Sequence, residues 1–200
     1  MNRLIPALML AAALPAGATT YTLEPNYTQV VLSWNHLGFS RPTAQLAQGT
    51  GTLDYDEKDP AMSRVTVTLP LASLMTGVPD LDEHLKSGDF FQADKYPAVT
   101  FTSTKVVPGM QTGDLTVTGN LRIREIVKPV TLHVKLLGLG TNERTHIATI
   151  GFSATAQLRR TDFGLGAFVP QVADEIALTI TTQGAEARAY ADYLRRQEKK

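Results

Sequence analysis

Apolar and polar residues alternate with a period of two through most of this chain, and no other feature constrains its fold as tightly. Val30, Leu32 and Trp34 alternate with Val31, Ser33 and Asn35, and Val65, Val67 and Leu69 with Thr66, Thr68 and Pro70. The pattern returns over 99–102, 115–121, 130–136, 150–158 and 176–180. Successive side chains of a strand point to opposite faces, so this alternation predicts strands with one dry and one wet face. The 25 threonines agree with that assignment, because a β-branched polar side chain suits a wet strand face.

Turn chemistry at 54–60, 108–114 and 138–142 separates the runs. With 46–55 included, about eight strands follow, and their short spacing argues for hairpins and an antiparallel sheet. Such a sheet can stack as a sandwich or close into a barrel. Closure removes exposed edges, and an eight-stranded barrel either holds one small ligand or is filled by side chains. One short helix is expected after about the fourth strand. Pro79 and Asp80 start it, Leu81 and Leu85 are four apart, and Gly88 can end it. A second helix is expected at the C-terminus, where Ala187, Tyr190, Ala191 and Leu194 fall at helical spacing. Docking of that tail on the barrel and a solvated tail both stay open.

Arg3, the apolar run at 4–14 and the small residues Ala16-Gly17-Ala18 have the layout of a secretory signal peptide. The run is too short to cross a bilayer; a buried N-terminal helix is the competing reading. The expected organisation is a signal peptide at 1–18, a barrel at 19–184 and a charged helical tail at 185–200. The mature chain is expected to be exported and to have no transmembrane segment. The chain has no cysteine, and its four histidines, His36, His84, His133 and His146, show no metal-ligand spacing, so no metal and no cofactor is expected. Lysines and arginines equal aspartates and glutamates at 19 each, which gives no basic footprint for nucleic acid.

Strand parity singles out three polar residues. The inward rows that contain Val30, Phe101 and Phe152 end at His36, Lys105 and Arg160. Groups so placed sit near a barrel mouth, where a polar head group meets an apolar pocket; the competing reading is that each has left its strand and faces water.

The stretch Asp82-Glu83-His84-Leu85-Lys86-Ser87-Gly88-Asp89-Phe90-Phe91, then Asp94-Lys95-Tyr96-Pro97 and Val99-Thr100-Phe101, closely resembles the signature of the YceI-like polyisoprenoid-binding family. His36-Leu37-Gly38-Phe39-Ser40, Gly51-Thr52-Leu53, Lys128-Pro129-Val130, Arg160-Thr161-Asp162-Phe163-Gly164 and Val172-Ala173-Asp174-Glu175-Ile176 agree in order and spacing, over about 21–182. Leu81 departs from a frequent arginine, Ala44 from a frequent glycine, and Glu125 and Val127 from a usual Gly-Val-Thr turn.

This resemblance implies an all-β, lipocalin-like, eight-stranded antiparallel barrel in the periplasm. Its ligand would be a long isoprenoid lipid, such as a polyprenyl phosphate, an isoprenoid quinone or a related amphiphile, and no enzymatic activity is implied. Trp34, Phe39, Leu85, Phe90, Phe91, Phe101, Phe152, Phe163 and Phe168 are the candidates for lining or gating an apolar tube, with ordinary core packing as the alternative for each. His36, Lys105 and Arg160 are the head-group candidates. Two other readings stay open: a filled barrel acting as an envelope scaffold, and an enzyme on a prenyl lipid with Asp82 and His84 as its acid–base pair. Those two residues are two apart on the expected helix and so do not share a face. A homodimer is left open.

Overall fold

A computed structural model describes residues 17–199; the apolar run at 4–14 lies outside them. The strand segments are β1 Thr19–Leu23, β2 Gln29–Ser33, β3 Thr43–Leu46, β4 Thr50–Tyr55, β5 Arg64–Pro70, β6 Ala98–Pro108, β7 Asp114–Ile123, β8 Ile126–Thr141, β9 Ala148–Arg159 and β10 Glu175–Glu186. Helix α1 spans Pro79–Lys86 and helix α2 spans Ala187–Gln197.

These ten segments make eight staves. β1 and β2 lie end to end along one edge of β10, pairing with 184–186 and 177–181 respectively. β4 and β3 flank them in the same way, with Tyr21 opposite Leu53 and Val31 opposite Gln45. From β4 the sheet runs through β5, β6, β7, β8 and β9 back to β10, every pair antiparallel. The result is the expected closed, up-and-down, eight-stranded barrel.

The two broken staves bend at one height. Between β1 and β2 the chain turns at Pro25, which has no N–H to give a ladder. The Thr28 carbonyl then accepts the Gly49 N–H at 3.1 Å, joining the two breaks. The Thr28 hydroxyl lies 2.9 Å from that of Thr182 on β10. A Cβ at Gly49 would lie 2.5 Å from Thr28 Cγ2, so only glycine allows the staves to approach this closely. Gly51, at φ 154°, makes the tighter contact: a Cβ there would sit 1.9 Å from the Thr66 carbonyl oxygen of β5. Above the bend, no strand among the described residues lies on the outer edge of β3. Gln45 exchanges two backbone hydrogen bonds with Met75, at 2.8 and 3.0 Å, and the Ser73 hydroxyl bonds both the N–H and the carbonyl of Ala47.

Two bulges change what the sequence pattern suggests. Register shifts between Ser103 and Lys105 on β6, and between Leu136 and Gly138 on β8. The second bulge corrects the turn expected at 138–142. Gly138, Leu139, Gly140 and Thr141 continue to pair with β9, and the chain reverses after Asn142, whose side-chain oxygen accepts the N–H groups of Arg144 and Thr145. Helix α1 follows the third stave and stops at Lys86, two residues before Gly88, because the Ser87 hydroxyl donates to the His84 carbonyl at 2.8 Å. β10 continues through Glu186, whose carboxylate then caps α2 by accepting the N–H groups of Arg188 and Ala189. Helix α2 packs on β1 and β10.

The connections at 34–42, 71–97, 124–125 and 160–174 gather at one end of the barrel, the loop end. Those at 56–63, 109–113 and 142–147 gather at the other, the hairpin end. Toward the hairpin end the interior is packed: Ile150, Leu23, Tyr21, Tyr55 and Phe152 are buried, with the Tyr55 and Phe152 rings edge to face at 5.8 Å.

Gly51→Ala is expected to cost about 2–4 kcal/mol in urea unfolding, because a carbonyl and not a pliable side chain blocks the new methyl. Gly138→Ala, with nothing within 4 Å of the new Cβ, stays within about 0.5 kcal/mol of the parent. Burial first, and then Glu57, holds the Tyr21 and Tyr55 hydroxyls above the usual tyrosine value. A folded pKa raised in this way contributes stability that is full below the unfolded value of about 10 and is lost as pH rises through the folded value. Tyr21→Phe should therefore flatten part of the alkaline limb of a stability–pH curve.

Candidate functional site

The inward rows of the staves enclose a cavity of about 760 Å³. Ile176, Leu178, Ile180 and Thr182 form one wall along β10, and those six residue steps correspond to about 20 Å of strand. Facing rows come from Val30 and Leu32 of β2, Leu115, Val117 and Leu121 of β7, and Ala154 and Leu158 of β9. The alternation that sends these side chains inward leaves Thr131, Thr155 and Thr179 exposed on the outside. Polar groups of the wall are mostly hydroxyls, and that of Thr28 is already paired with Thr182.

At the loop end three segments surround the entrance. His36, Leu37 and Ser40 come from the β2–β3 connection, and Leu81, His84, Leu85 and Phe90 from α1 and the turn after it. Phe168, Gln171 and Val172 come from the β9–β10 connection. Leu37 and Phe168 line the cavity and are 51% and 59% exposed, which puts an opening there. The His84 ring meets Phe90 edge on at 5.1 Å and lies 5.9 Å from Phe168, whose ring is stacked 6.4 Å from Phe90.

The structure brings most of the residues singled out in the sequence to this cavity. Trp34, Leu85, Phe90, Phe91, Phe101, Phe152 and Phe168 line it, as do His36 and Arg160. Three do not. Phe39 is 93% exposed, at the tip of a turn closed by the His36–Ser40 bridge and by the Asn35 side chain accepting the Gly38 N–H. Phe163 is 1% exposed but lies in the turn after β9, where it borders an outer groove with Val130 and Leu158. Lys105 follows the β6 bulge: Phe101 points inward, the extra residue after Ser103 reverses the parity, and Val106 is the first buried side chain beyond the bulge, so Lys105 faces solvent.

Arg160 lines the wall, but its guanidinium holds the loop and not a ligand. Nε donates to the Ala173 carbonyl at 2.9 Å, Nη2 to Val172 at 2.8 Å, and Nη1 to Ala167 at 2.7 Å and to Leu165. Burial draws its pKa down, with Asp174 opposing. Beside it, burial pushes the Asp174 carboxyl up, but the Thr161 N–H at 2.9 Å, Arg159 Nε at 2.9 Å and the Thr161 hydroxyl at 2.8 Å together hold it below the ordinary aspartate value. This cluster fixes the 160–174 connection, and with it one side of the entrance.

Asp82 and His84 diverge, as their spacing predicts. Asp82 Oδ1 accepts both the N–H and the hydroxyl of Thr76 at 2.6 Å, bonds that hold its carboxyl low, while His84 turns to the aromatic entrance. Sequence reasoning did not place His84, Ser40 and Gln171 on the entrance. For His84 the signal was present, since it lies three residues after Leu81 and beside Leu85, on the helix face that lines the cavity.

The YceI-like domain model matches residues 21–184. Protein YceI of Escherichia coli is 32% identical over 184 residues, covering 91% of this chain and 95% of that protein. Among solved structures, the Campylobacter jejuni YceI protein superposes with a TM-score of 0.69 at 28% identity, over 77% of this chain and 90% of its own. A polyisoprenoid binding domain from Saccharophagus degradans has the same fold, with a TM-score of 0.63 at 13% identity over 84% of this chain and 99% of its own. The matched span takes in all eight staves, the loops that frame the entrance and the cavity they enclose, and the chain therefore belongs to the YceI-like domain family.

Proposed function

We propose that this protein binds and sequesters a long isoprenoid lipid in its barrel, without turning it over. The observation that carries the reading is the apolar cavity of about 760 Å³ with its entrance at the loop end. That volume falls within the ~300–1,000 Å³ of small-molecule sites. Transfer of apolar carbon from water gains about 0.8 kcal/mol per CH₂, so one five-carbon isoprene unit contributes about 3–4 kcal/mol. A few units reach the roughly 8 kcal/mol of micromolar binding after ordering losses. The membership of the chain in the YceI-like family and the polyisoprenoid-binding character of the S. degradans domain support the same reading. A barrel filled by its own side chains, the scaffold alternative, would leave no such volume.

The entrance favours an uncharged head. Lys105 lies outside, the Arg160 donors are taken up by four carbonyls, and Arg64 belongs to the hairpin end. Beside the imidazoles of His36 and His84, Ser40 and Gln171 offer uncharged hydrogen-bonding groups, which suit a quinone-type carbonyl better than a phosphate. We further propose that the protein works in the periplasm, exported by the leader at 1–18, on the strength of the apolar run at 4–14 and Ala16-Gly17-Ala18.

In a competition assay, a prenyl quinone is expected to bind at micromolar levels or tighter and at least tenfold better than a prenyl phosphate of equal chain length. Ala154→Trp, which projects an indole into the tube from β9, should weaken both at least tenfold with cooperative unfolding retained. Absence of binding by the unaltered protein would overturn the reading. For the location, the chain recovered from an exporting host should begin at Thr19; an intact leader on cytoplasmic protein would contradict it.

A further inference from the structure

The rim of the entrance exposes more apolar surface than a tube opening into water needs. Phe39 is 93% exposed, Phe168 59% and Leu37 51%. Their loops form one unit. His36 bridges Val172, the Leu37 N–H donates to the Gln171 carbonyl at 3.2 Å, and the Val172 N–H donates to the Phe168 carbonyl at 2.8 Å. Phe168 reaches across to His84 and Phe90, which ties the rim to α1. Leu37 and Phe168 also hold left-handed backbone, at φ 55° and 63°, a region that bulky side chains rarely adopt. Strained backbone and apolar exposure thus coincide at the entrance, and such strain clusters where a ligand or partner is engaged.

We propose that the loop end docks on a zwitterionic lipid bilayer, with Phe39, Leu37 and Phe168 entering the interface so that the cavity opens onto the membrane. The inference rests on the reading of the cavity as a lipid site. A bilayer is the occupant that fits because Leu37 and Phe168 are at once cavity wall and rim, so covering the rim joins the tube to the phase in which an isoprenoid resides. The charges point the same way. Over the loop-end connections and α1, five basic residues (Arg41, Lys86, Lys95, Arg124 and Arg160) stand against eight aspartates and glutamates, so the rim has no cationic excess to draw it to anionic lipid. Apolar insertion then sets the affinity, and added salt should change it little.

The chain has no cysteine, so Phe39→Cys supplies one thiol for an environment-sensitive dye. Met110→Cys, 106% exposed in the β6–β7 hairpin at the opposite end, supplies the reference. With the full chain and phosphatidylcholine vesicles, the dye at 39 is expected to move to an apolar environment and to be quenched by spin-labelled acyl chains, while the dye at 110 stays wet. Phe168→Asp in the labelled chain should lower vesicle partitioning at least tenfold, and Phe168→Trp should preserve it. Because the apolar run at 4–14 can itself bind vesicles, co-flotation with a wet dye at 39 overturns the proposal, as does equal quenching at both sites. Uptake of a prenyl quinone presented in detergent is measured on the same proteins. Normal uptake without docking discards the docking surface alone, whereas docking without uptake discards the sequestering function and leaves the surface standing.

Discussion

β10 carries hydrogen-bond ladders on both edges, with β9 along one and β1 followed by β2 along the other. That double pairing turns a twisted sheet with two raw edges into a tube laced all round except above the bend, where β3 meets Met75 alone, and the interior depends on it. Once closed, every inward row faces another inward row across a short distance. Residues that would be ordinary core in a sandwich become the wall of a cavity. Closure also explains the broken staves. β1 and β2 can follow β10 only if the chain bends midway, and the bend needs the missing N–H of Pro25, the buried Thr28 and a side-chain-free Gly49.

The entrance is built differently. Its three segments are not strands, and each is held by polar contacts that leave the apolar faces free. The Arg160 guanidinium gathers the carbonyls of Leu165, Ala167, Val172 and Ala173, Asp174 fixes the start of the same connection, and Asp82 ties Thr76 to α1. Buried charge is thus used for shape. A guanidinium satisfied by four carbonyls contributes no binding energy to a head group. It sets where Phe168 and Gln171 stand.

Much of this was legible in the sequence because burial and strand geometry write the same period. The inward rows of β2, β7, β9 and β10 follow the alternation without exception over 30–32, 115–121, 150–158 and 176–180. Lys105 was not legible. A one-residue bulge leaves no mark in the local pattern, yet it exchanges the two faces beyond it. Gly138 and Gly140 resemble a turn in sequence but pair as strand, since cross-strand partners on β9 decide what local propensity leaves open. Phe39 illustrates the limit of composition. Aromatic content says that a ring is available, whereas a turn closed by His36 and Ser40 decides that it points away from the tube. His84 is the converse case, a residue weighed as chemistry whose surroundings make it part of an aromatic rim.

The single bridge between Gln45 and Met75 has a mechanical consequence. β4 and β5 are joined by five rungs from Thr50 to Asp54, but above the bend β3 is closed by two backbone bonds to Met75 and the Ser73 hydroxyl. The wall is therefore a zipper fastened along its lower half and buttoned near the top by Met75 and Ser73 alone. Parting the button leaves the lower ladder intact, so breathing at this seam belongs to the low end of the opening free energies within one molecule. The seam runs downward from the loop end beside Leu46 and Leu74, two cavity-lining side chains, so the tube is laced most loosely where it opens and most firmly at its floor.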